Sequence, residues 1–259
     1  MSAVLTEAVL HRLSSQALLA YFGHAPQFEF SMHPGCASLD SGMPVADLNY
    51  VVAGQGANHD NHFADACRTF LSRDVPFLAI VFPGSGTEVD ATARDLGLAY
   101  VVDFPFMVRD DTPVEPEGNA SVVVRRATGI EDVRANARVL GSAFGMPEDV
   151  AGQVLPASLF DAPNVDTYLA SIDGDVVGSV TLVHHGDVTG VWSMATDTAR
   201  QRSGIGRRLL STAMAEARSR GTTSFYLGAT PAGQRLYESL GFTTRTTARV
   251  WVSGETHQA

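Results

Sequence analysis

The sequence contains no lysine: its 18 basic residues are all arginine, and 28 acidic residues outnumber them. The net charge of −10 and the lack of a basic stripe argue against nucleic-acid binding, because phosphate backbones are bound by clustered cations. No apolar run approaches the ~20 residues that span a membrane, and the amino-terminal segment lacks a signal-peptide pattern, so we expect a soluble protein. Only Cys36 and Cys67 are present, without metal-like spacing, which favours a reducing compartment and by default the cytoplasm.

The net negative charge of the chain comes from its first half. Residues 1–118 contain 5 Arg and 15 Asp or Glu, whereas residues 119–259 contain 13 Arg and 13 Asp or Glu. A polyphosphate ligand would therefore be repelled by the first half and tolerated by the second. A chain of 259 residues suits one large or two small domains. The charged segment 110–119, which contains two prolines and no periodicity, predicts a boundary.

Residues 191–210 combine an apolar run, a polar turn with two glycines and the start of a helix. The first-turn amides of a helix lack intrahelical partners, and Gly204 and Gly206 would let a phosphate approach the backbone. The helical spacing is carried by Ile205, Leu209, Leu210, Ala213, Met214 and Ala217, and the arginines around the turn are Arg200, Arg202, Arg207 and Arg208. The stretch therefore predicts a pyrophosphate-binding turn, although a lone Gly-x-Gly before a helix is more often only a turn.

Two motifs together point to a family. Residues 201–206 fit the spacing Q/R-x-x-G-x-G/A, and residues 236–242 read L-Y-E-S-L-G-F, with one helix and one strand between the two motifs. Over residues 121–252 this pattern resembles the GNAT superfamily of acyl-CoA-dependent N-acetyltransferases. The resemblance implies an α/β fold, here as two tandem mixed-sheet domains flanked by helices, with acetyl-CoA as co-substrate and no metal. It implies coenzyme binding by Gln201, Arg202, Ser203, Gly204, Ile205, Gly206 and Arg207 and by the main chain of Met194 and Thr196, with Tyr237 as the general acid.

Acetyl transfer to an amine requires one proton to reach the departing thiolate and another to leave the amine. A phenol with a pKa of about 10 can donate at neutral pH, which suits Tyr237, whose alternative role is packing. No base can be identified, since the strand before the turn carries no acidic side chain. His184 and His185 are interpreted as a strand-end turn, and residues 59–62 (HDNH) as a helix start rather than a metal site.

Residues 1–118 resemble a degenerate repeat of residues 119–259. An offset of 144 residues brings Gly97 onto Gly241 and places a helix over 61–72 on the helix after the glycine pair. Under this offset Asp60 and His62 replace the glycines, and Ala93 replaces Tyr237. We therefore interpret residues 1–118 as a degenerate, non-catalytic GNAT-like domain and residues 119–259 as the catalytic domain. An unrelated α/β domain is the alternative for the first half.

We predict an acyltransferase that moves an acetyl group from acetyl-CoA to a primary amine by direct attack, without a covalent enzyme intermediate. The acidic first half favours a small cationic acceptor, and Asp60, Asp103, Asp110 and Asp111 are the first carboxylates expected to face it. Two alternatives remain: acetylation of a protein at a lysine or its amino terminus, and a non-catalytic acyl-CoA sensor or interaction module. Neither nucleic acid nor a membrane is an expected partner, and a homodimer is left open.

Three local expectations depend on turn and cap signals. Residues 23–44 are rich in His, Pro, Gly and Ser and are expected to be irregular. Thr128 and Glu131 have the spacing of a capping box at the start of a helix that runs to about Phe144, and Pro147 opens a shorter helix to 154. Terminal strands are expected around 242–252.

Overall fold

The computed structural model describes residues 5–25, 27–110, 112–147, 150–152 and 157–254, without the side chains of 157 and 161. Within these ranges the helices are α1 (Glu7–Phe22), α2 (His59–Ser72), α3 (Thr87–Asp95), α4 (Ile130–Phe144), α5 (Ile205–Ser219) and α6 (Pro231–Ser239). The strands are β1 (Glu29–His33), β2 (Cys36–Asp40), β3 (Tyr50–Ala53), β4 (Leu78–Val81), β5 (Ala99–Arg109), β6 (Val123–Arg126), β7 (Val165–Ile172), β8 (Asp175–His185), β9 (Val188–Thr196), β10 (Ser224–Gly228) and β11 (Thr243–Val252).

The strands of the described residues form one mixed sheet in the order β1-β2-β3-β4-β11-β5-β10-β9-β8-β7-β6. The pairs β3–β4 and β9–β10 are parallel, and the remaining neighbours are antiparallel. Read inward from β1 and from β7 the pattern repeats: a hairpin, a third antiparallel strand, a parallel partner, and then the central pair β5–β11, with β6 as an additional edge strand in the second half. The predicted α/β class with mixed strand pairing and flanking helices is confirmed. The two mixed sheets expected for the two halves are joined in one continuous sheet.

The last strand of each half lies within the other half's part of the sheet. β5 lies between β11 and β10, and β11 lies between β4 and β5. The two strands pair along most of their length, from Thr243 opposite Val108 to Val252 opposite Ala99. The terminal strands expected at 242–252 are therefore one strand, whose partners both come from the first half.

We expect fragments 1–118 and 119–259 not to fold when they are produced separately, because each would lose a central strand and expose an unpaired edge. Circular dichroism during heating should show no cooperative transition for either fragment, whereas a full chain nicked between β5 and β6 should retain one. A cooperative transition in one isolated fragment would contradict the expectation.

Helices cover both faces of the sheet. On one face α1 and α4 pack over the same core cluster, and α1 contacts strands of both halves. On the other face α2 and α3 cover the first half, and α5 and α6 cover the second. No helix in the described ranges is long and apolar enough to cross a membrane.

Two local expectations were wrong. Residues 23–44 contain the hairpin β1–β2, whose edge strand β1 is mostly exposed and so lacks an apolar alternation. The capping box does not form: α4 begins at Ile130 after Gly129, and Asp132 accepts the Thr128 N–H at 2.8 Å. Asp132 is held there by Arg125. The helix expected from Pro147 to 154 lies largely outside the described residues.

Candidate functional site

The parallel strands β9 and β10 pair over only a short stretch. Their register runs from Val188 opposite Ser224 to Gly190 opposite Tyr226. Beyond that point β9 stays paired with β8, and β10 stays paired with β5. The carboxyl ends of β9 and β10 therefore diverge and leave a slot between them, at the edge where α/β proteins commonly bind ligands.

β9 carries a bulge at the slot. Ser179 lies opposite Ala195 but Thr181 opposite Trp192, so the extra residue falls at Ser193–Met194. Ser193 has a left-handed backbone with φ 46°, which is uncommon outside glycine. The hydroxyl of Tyr21 on α1 donates to Ser193 Oγ at 2.9 Å. A bulge leaves backbone groups without ladder partners, and here those groups lie beside the slot.

The glycine turn forms the start of α5. Gly204 is the N-cap in a left-handed conformation with φ 81°, and its carbonyl accepts from Arg208 N–H at 3.1 Å. The amides of residues 205–207 precede the first intrahelical bond and have no acceptor within the helix. A Cβ on Gly206 would lie 3.2 Å from both Met194 Cε and Leu236 Cδ2. The turn therefore carries first-turn amides without helical acceptors and packs closely against Met194 at the slot.

The side chains around the turn play unequal roles. Gln201, Arg202 and Ser203 are exposed, and Gln201 Nε2 makes a long 3.4 Å bond to the carbonyl of Thr196. Arg207 is paired with Glu117 of the linker at 3.0 Å, so its guanidinium is already neutralised. What Arg207 can offer an anion is its main-chain N–H.

Tyr237 lies on α6 at the other side of the slot. It is 7% exposed, its ring packs edge-on against Phe242 at 6.0 Å, and it lines the cavity described next. Burial raises the pKa of Tyr237 to about 12. The phenol is therefore protonated at neutral pH and can act as a proton donor.

A cavity of about 780 Å³ runs from the slot across the middle of the sheet into the first half. α1 covers it, and its walls come from β9, β10, β5, β11, β4 and β3. At the slot it is lined by Met194, Tyr226, Gly228, Thr230 and Tyr237. At the far end it is lined by residues of the first half, among them Asp47, Tyr50, Leu78 and Ile80.

The structure brings three of the predicted site residues close together. Met194 and Tyr237 line the same cavity, and Gly206 contacts Met194. The carboxylates expected to face an acceptor do not line it: Asp60, Asp103 and Asp110 lie elsewhere, and Asp111 lies outside the described residues.

The two histidines at the end of β8 have different surroundings. His184 bonds Asp166 Oδ2 and Thr189 Oγ1, both at 2.9 Å, away from the cavity. His185 Nε2 lies 3.3 Å from the hydroxyl of Tyr226, which lines the cavity. Burial, together with the nearby His184 and Arg12, lowers the pKa of His185. His185 therefore connects to the cavity through Tyr226.

The corresponding region of the first half is closed. β3 and β4 pair over all four of their residues, and Phe82 N–H then donates to Ala53 O at 2.8 Å. A Cβ on Gly56 would lie 2.4 Å from Gly35 N, so the β1–β2 turn fills the space beside α2. No slot comparable to that between β9 and β10 opens in the described part of the first half.

The starts of α2 and α5 correspond with an offset of 146 residues. Their N-caps, Asn58 and Gly204, are both left-handed, with φ 54° and 81°. Asp60 therefore stands at the position of Gly206. The offset of 144 holds for the later elements, since α3 and α6 begin at Thr87 and Pro231.

His59 closes the first-half turn. Its Nδ1 donates to Gly56 O at 2.6 Å and its Nε2 to Ser85 O at 2.7 Å. Carbonyl oxygens only accept, so both contacts form hydrogen bonds together only when both nitrogens carry protons, which favours the imidazolium. Partial burial lowers the pKa of His59, but the hydrogen bonds to Ser85 and Gly56 and the nearby carboxylates outweigh it and raise the pKa.

We expect His59 to make folding stability depend on pH. Its folded pKa lies above the ordinary 6.5, so its contribution is complete below about pH 6.5 and is lost as the pH rises through the folded pKa. The stability difference between wild type and His59→Gln, measured by urea unfolding, should therefore shrink from pH 6 to pH 9. Gln can still donate one hydrogen bond but does not titrate. A difference that stays constant over this range would contradict the imidazolium assignment.

Comparison with protein families identifies part of the chain. Residues 163–244 match the model of the acetyltransferase (GNAT) domain. This range begins just before β7 and ends in β11, so it includes the slot, the glycine turn and Tyr237. No curated protein matches the chain in sequence.

Solved structures share the fold over most of the chain. A GCN5-related N-acetyltransferase from Kribbella flavida is 19% identical with a TM-score of 0.69, covering 95% of this chain and 96% of that one. A GCN5-related N-acetyltransferase from Sphaerobacter thermophilus is 15% identical with a TM-score of 0.59, covering 86% and 81%. A tandem GNAT protein from the clavulanic acid biosynthesis pathway is 12% identical with a TM-score of 0.58, covering 97% and 98%. At these identities the similarity establishes the fold.

Proposed function

We propose that the protein is an acyltransferase, because it carries a GNAT acetyltransferase domain. Its reaction would transfer an acetyl group from acetyl-CoA to a primary amine of a small cationic metabolite. The observation that carries the proposal is the slot between β9 and β10. One side of the slot holds the glycine turn and the other holds Tyr237, and the slot opens into a cavity of about 780 Å³. Two substrates could thus meet there from opposite ends.

The coenzyme would bind with its pyrophosphate at the start of α5. The free amides of residues 205–207 and the positive end of the helix dipole favour an anion there. The exposed side chains of Gln201, Arg202 and Ser203 would add polar contacts. The pantetheine arm would follow the slot along the main chain of Met194 and Thr196, and its amide could replace the long bond from Gln201 to Thr196.

The chemistry would be a direct transfer. The amine nitrogen attacks the thioester carbonyl, the C–S bond breaks, and Tyr237 gives its phenolic proton to the departing sulfur. A pKa of about 12 keeps the phenol protonated at neutral pH, and the phenolate left after the transfer takes up a proton from solvent. The amine in turn loses a proton, for which the hydroxyl of Tyr226 and His185 offer a route out of the cavity.

The volume of the acceptor side favours a small molecule over a protein. A volume of about 780 Å³ lies within the ~300–1,000 Å³ of typical small-molecule sites. α1 lies over part of the cavity, which narrows the approach of a polypeptide that carries a lysine. Acetylation of a protein is therefore the weaker alternative.

The first half would be non-catalytic and would form the acceptor side of the cavity. Its closed strand pair and the carboxylate of Asp60 at the position of Gly206 oppose coenzyme binding there. Its strand order supports the interpretation as a degenerate copy of the second half. The two unpaired, buried cysteines agree with the proposed cytoplasmic location.

The proposal is tested with the full chain and a library of primary amines, measuring the free thiol released from acetyl-CoA. We expect thiol release that depends on an added amine, with the N-acetyl product identified by mass spectrometry. Coenzyme binding without acetyl transfer to any amine, peptide or protein would contradict the proposed enzymatic activity and favour a non-catalytic acyl-CoA sensor. Transfer to protein lysines alone would overturn the small-molecule acceptor.

A further inference from the structure

The cavity restricts the chemistry of the acceptor beyond the proposed function, on which this inference rests. We infer that the acceptor is a monoamine on an uncharged apolar body, an arylalkyl or branched alkyl amine, and that the first half binds that body. Polyamines and amino sugars are then poor substrates.

The wall in the first half is apolar and faces the cavity by strand alternation. On β4, Leu78 and Ile80 line the cavity, whereas Ala79 and Val81 are fully buried in the core on the opposite face. Leu78 and Ile80 remain partly exposed although their strand is flanked by β3 and β11. Their exposure is therefore exposure to the cavity.

The central strands β5 and β11 continue this apolar wall. Val102 and Phe104 of β5 and Val250 and Val252 of β11 line the cavity between Ile80 and the slot. A continuous apolar surface thus extends from the reacting end into the first half. Such a surface favours an apolar ligand, because burying apolar groups away from water lowers the free energy.

The ring of Phe104 lies where the slot meets the wall. A Cβ on Gly228 would stand 2.2 Å from Phe104 Cε1, so the ring rests directly on the glycine. Aromatic rings stack favourably on such a surface. The body of an arylalkyl amine would contact Phe104 while its nitrogen points to the slot.

The charges around the cavity disfavour a polycation. Among the described residues that line it, the only acidic side chain is Asp47, and none is Arg or His. Asp47 lies at the far end with part of its side chain open to solvent, and partial desolvation by the surrounding protein raises the pKa of its carboxyl. One ammonium could be attracted at that entrance, but further charges would lie unpaired against apolar side chains, which is costly.

The test uses two independent measurements on the full chain. In the first, thiol release from acetyl-CoA is compared for phenethylamine, isoamylamine, putrescine, spermidine and glucosamine. In the second, 1-aminoanthracene, whose fluorescence rises in apolar sites, is titrated without acetyl-CoA. We expect a kcat/KM at least about 100-fold higher for phenethylamine than for putrescine, and displacement of the probe by phenethylamine but not by spermidine.

A pair of matched variants locates the site. Ile80→Glu places a charge in the apolar wall, and Ile80→Gln changes the shape equally without the charge. We expect Ile80→Glu to weaken probe binding at least tenfold more than Ile80→Gln, while acetyl-CoA affinity is the same in both. Equal acetyl-CoA affinity also verifies that the variants are folded.

The outcomes separate this inference from the proposed function. If the protein acetylates amines but prefers polyamines or amino sugars and does not bind the probe, the inference about the acceptor is wrong, whereas the proposed acetyltransferase activity is supported. Probe binding that depends on Ile80, without acetylation of any amine, would contradict the proposed acetyltransferase activity but support an apolar amine-binding site. Neither activity nor probe binding would overturn both.

Discussion

Replacing Tyr237 with phenylalanine should lower kcat by about 100-fold or more, with little change in acetyl-CoA affinity. The variant keeps the ring and its packing against Phe242 but removes the proton that the departing thiolate needs. Burial raises the pKa of Tyr237 to about 12, so the wild-type phenol is protonated across the neutral range. The missing hydroxyl should therefore act on the chemical step.

Tyr168→Phe is the matched control for this variant. Tyr168 is also fully buried, but its hydroxyl accepts from Arg220 at 2.9 Å and it does not line the cavity. Its loss should leave kcat near the wild-type value even if stability falls. Single-turnover measurements on all three proteins would verify that chemistry limits the rate. An unchanged kcat under that condition would reduce Tyr237 to a packing residue.

What could be predicted from the sequence depends on local signals. The glycine turn and the segment around Tyr237 are short motifs, and α5 begins at the residue after Gly204, as the periodicity indicated. The offset of 144 also holds for α3 with α6 and for β5 with β11. These features are set by residues close together in the chain, so a local pattern is enough to find them.

What could not be predicted depends on contacts between distant residues. The sequence of β5 does not indicate that this strand pairs with β10 and β11, which lie more than a hundred residues later in the chain. The left-handed Ser193 carries no glycine signal and is held by Tyr21, 172 residues earlier in the chain. Asp47, the acidic residue in the cavity wall, lies in the short 3-10 helix Ala46–Leu48, where no sequence motif marks it. The acceptor side of the site is assembled from such contacts.

The capping error shows how tertiary contacts override a local rule. Thr128 and Glu131 have the right spacing, but Asp132 is fixed by Arg125 of β6 and takes the Thr128 N–H itself. A carboxylate one residue later than expected thus performs the cap. The helix still begins within two residues of the expected position.

Gly206→Asp should weaken acetyl-CoA binding by more than about tenfold, or ~1.4 kcal/mol. The new carboxylate would stand in the first turn of α5, where the pyrophosphate is proposed to bind. Asp60 occupies the same position of α2, so the variant gives the second half the residue that the first half already has. An acidic residue in a first turn is compatible with the helix dipole, so we expect α5 to remain folded.

Crowding must be distinguished from charge at this position. A Cβ on Gly206 would lie 3.2 Å from Met194 Cε and Leu236 Cδ2, both ends of flexible side chains that can shift by a few tenths of an ångström. Gly206→Asn introduces nearly the same volume without the charge and is the matched control. We expect Asn to weaken binding clearly less than Asp, because only Asp repels the phosphates.

The measurement is calorimetric titration of acetyl-CoA into the full chain, since an isolated second half would lack β5. Screening lengths fall from about 10 Å at 0.1 M salt to about 3 Å at 1 M, so the gap between Asp and Asn should narrow as salt is added. Equal affinities for the two variants at low salt would mean that the pyrophosphate lies elsewhere. The start of α5 would then be a packed turn, and the coenzyme would have to enter the slot from another side.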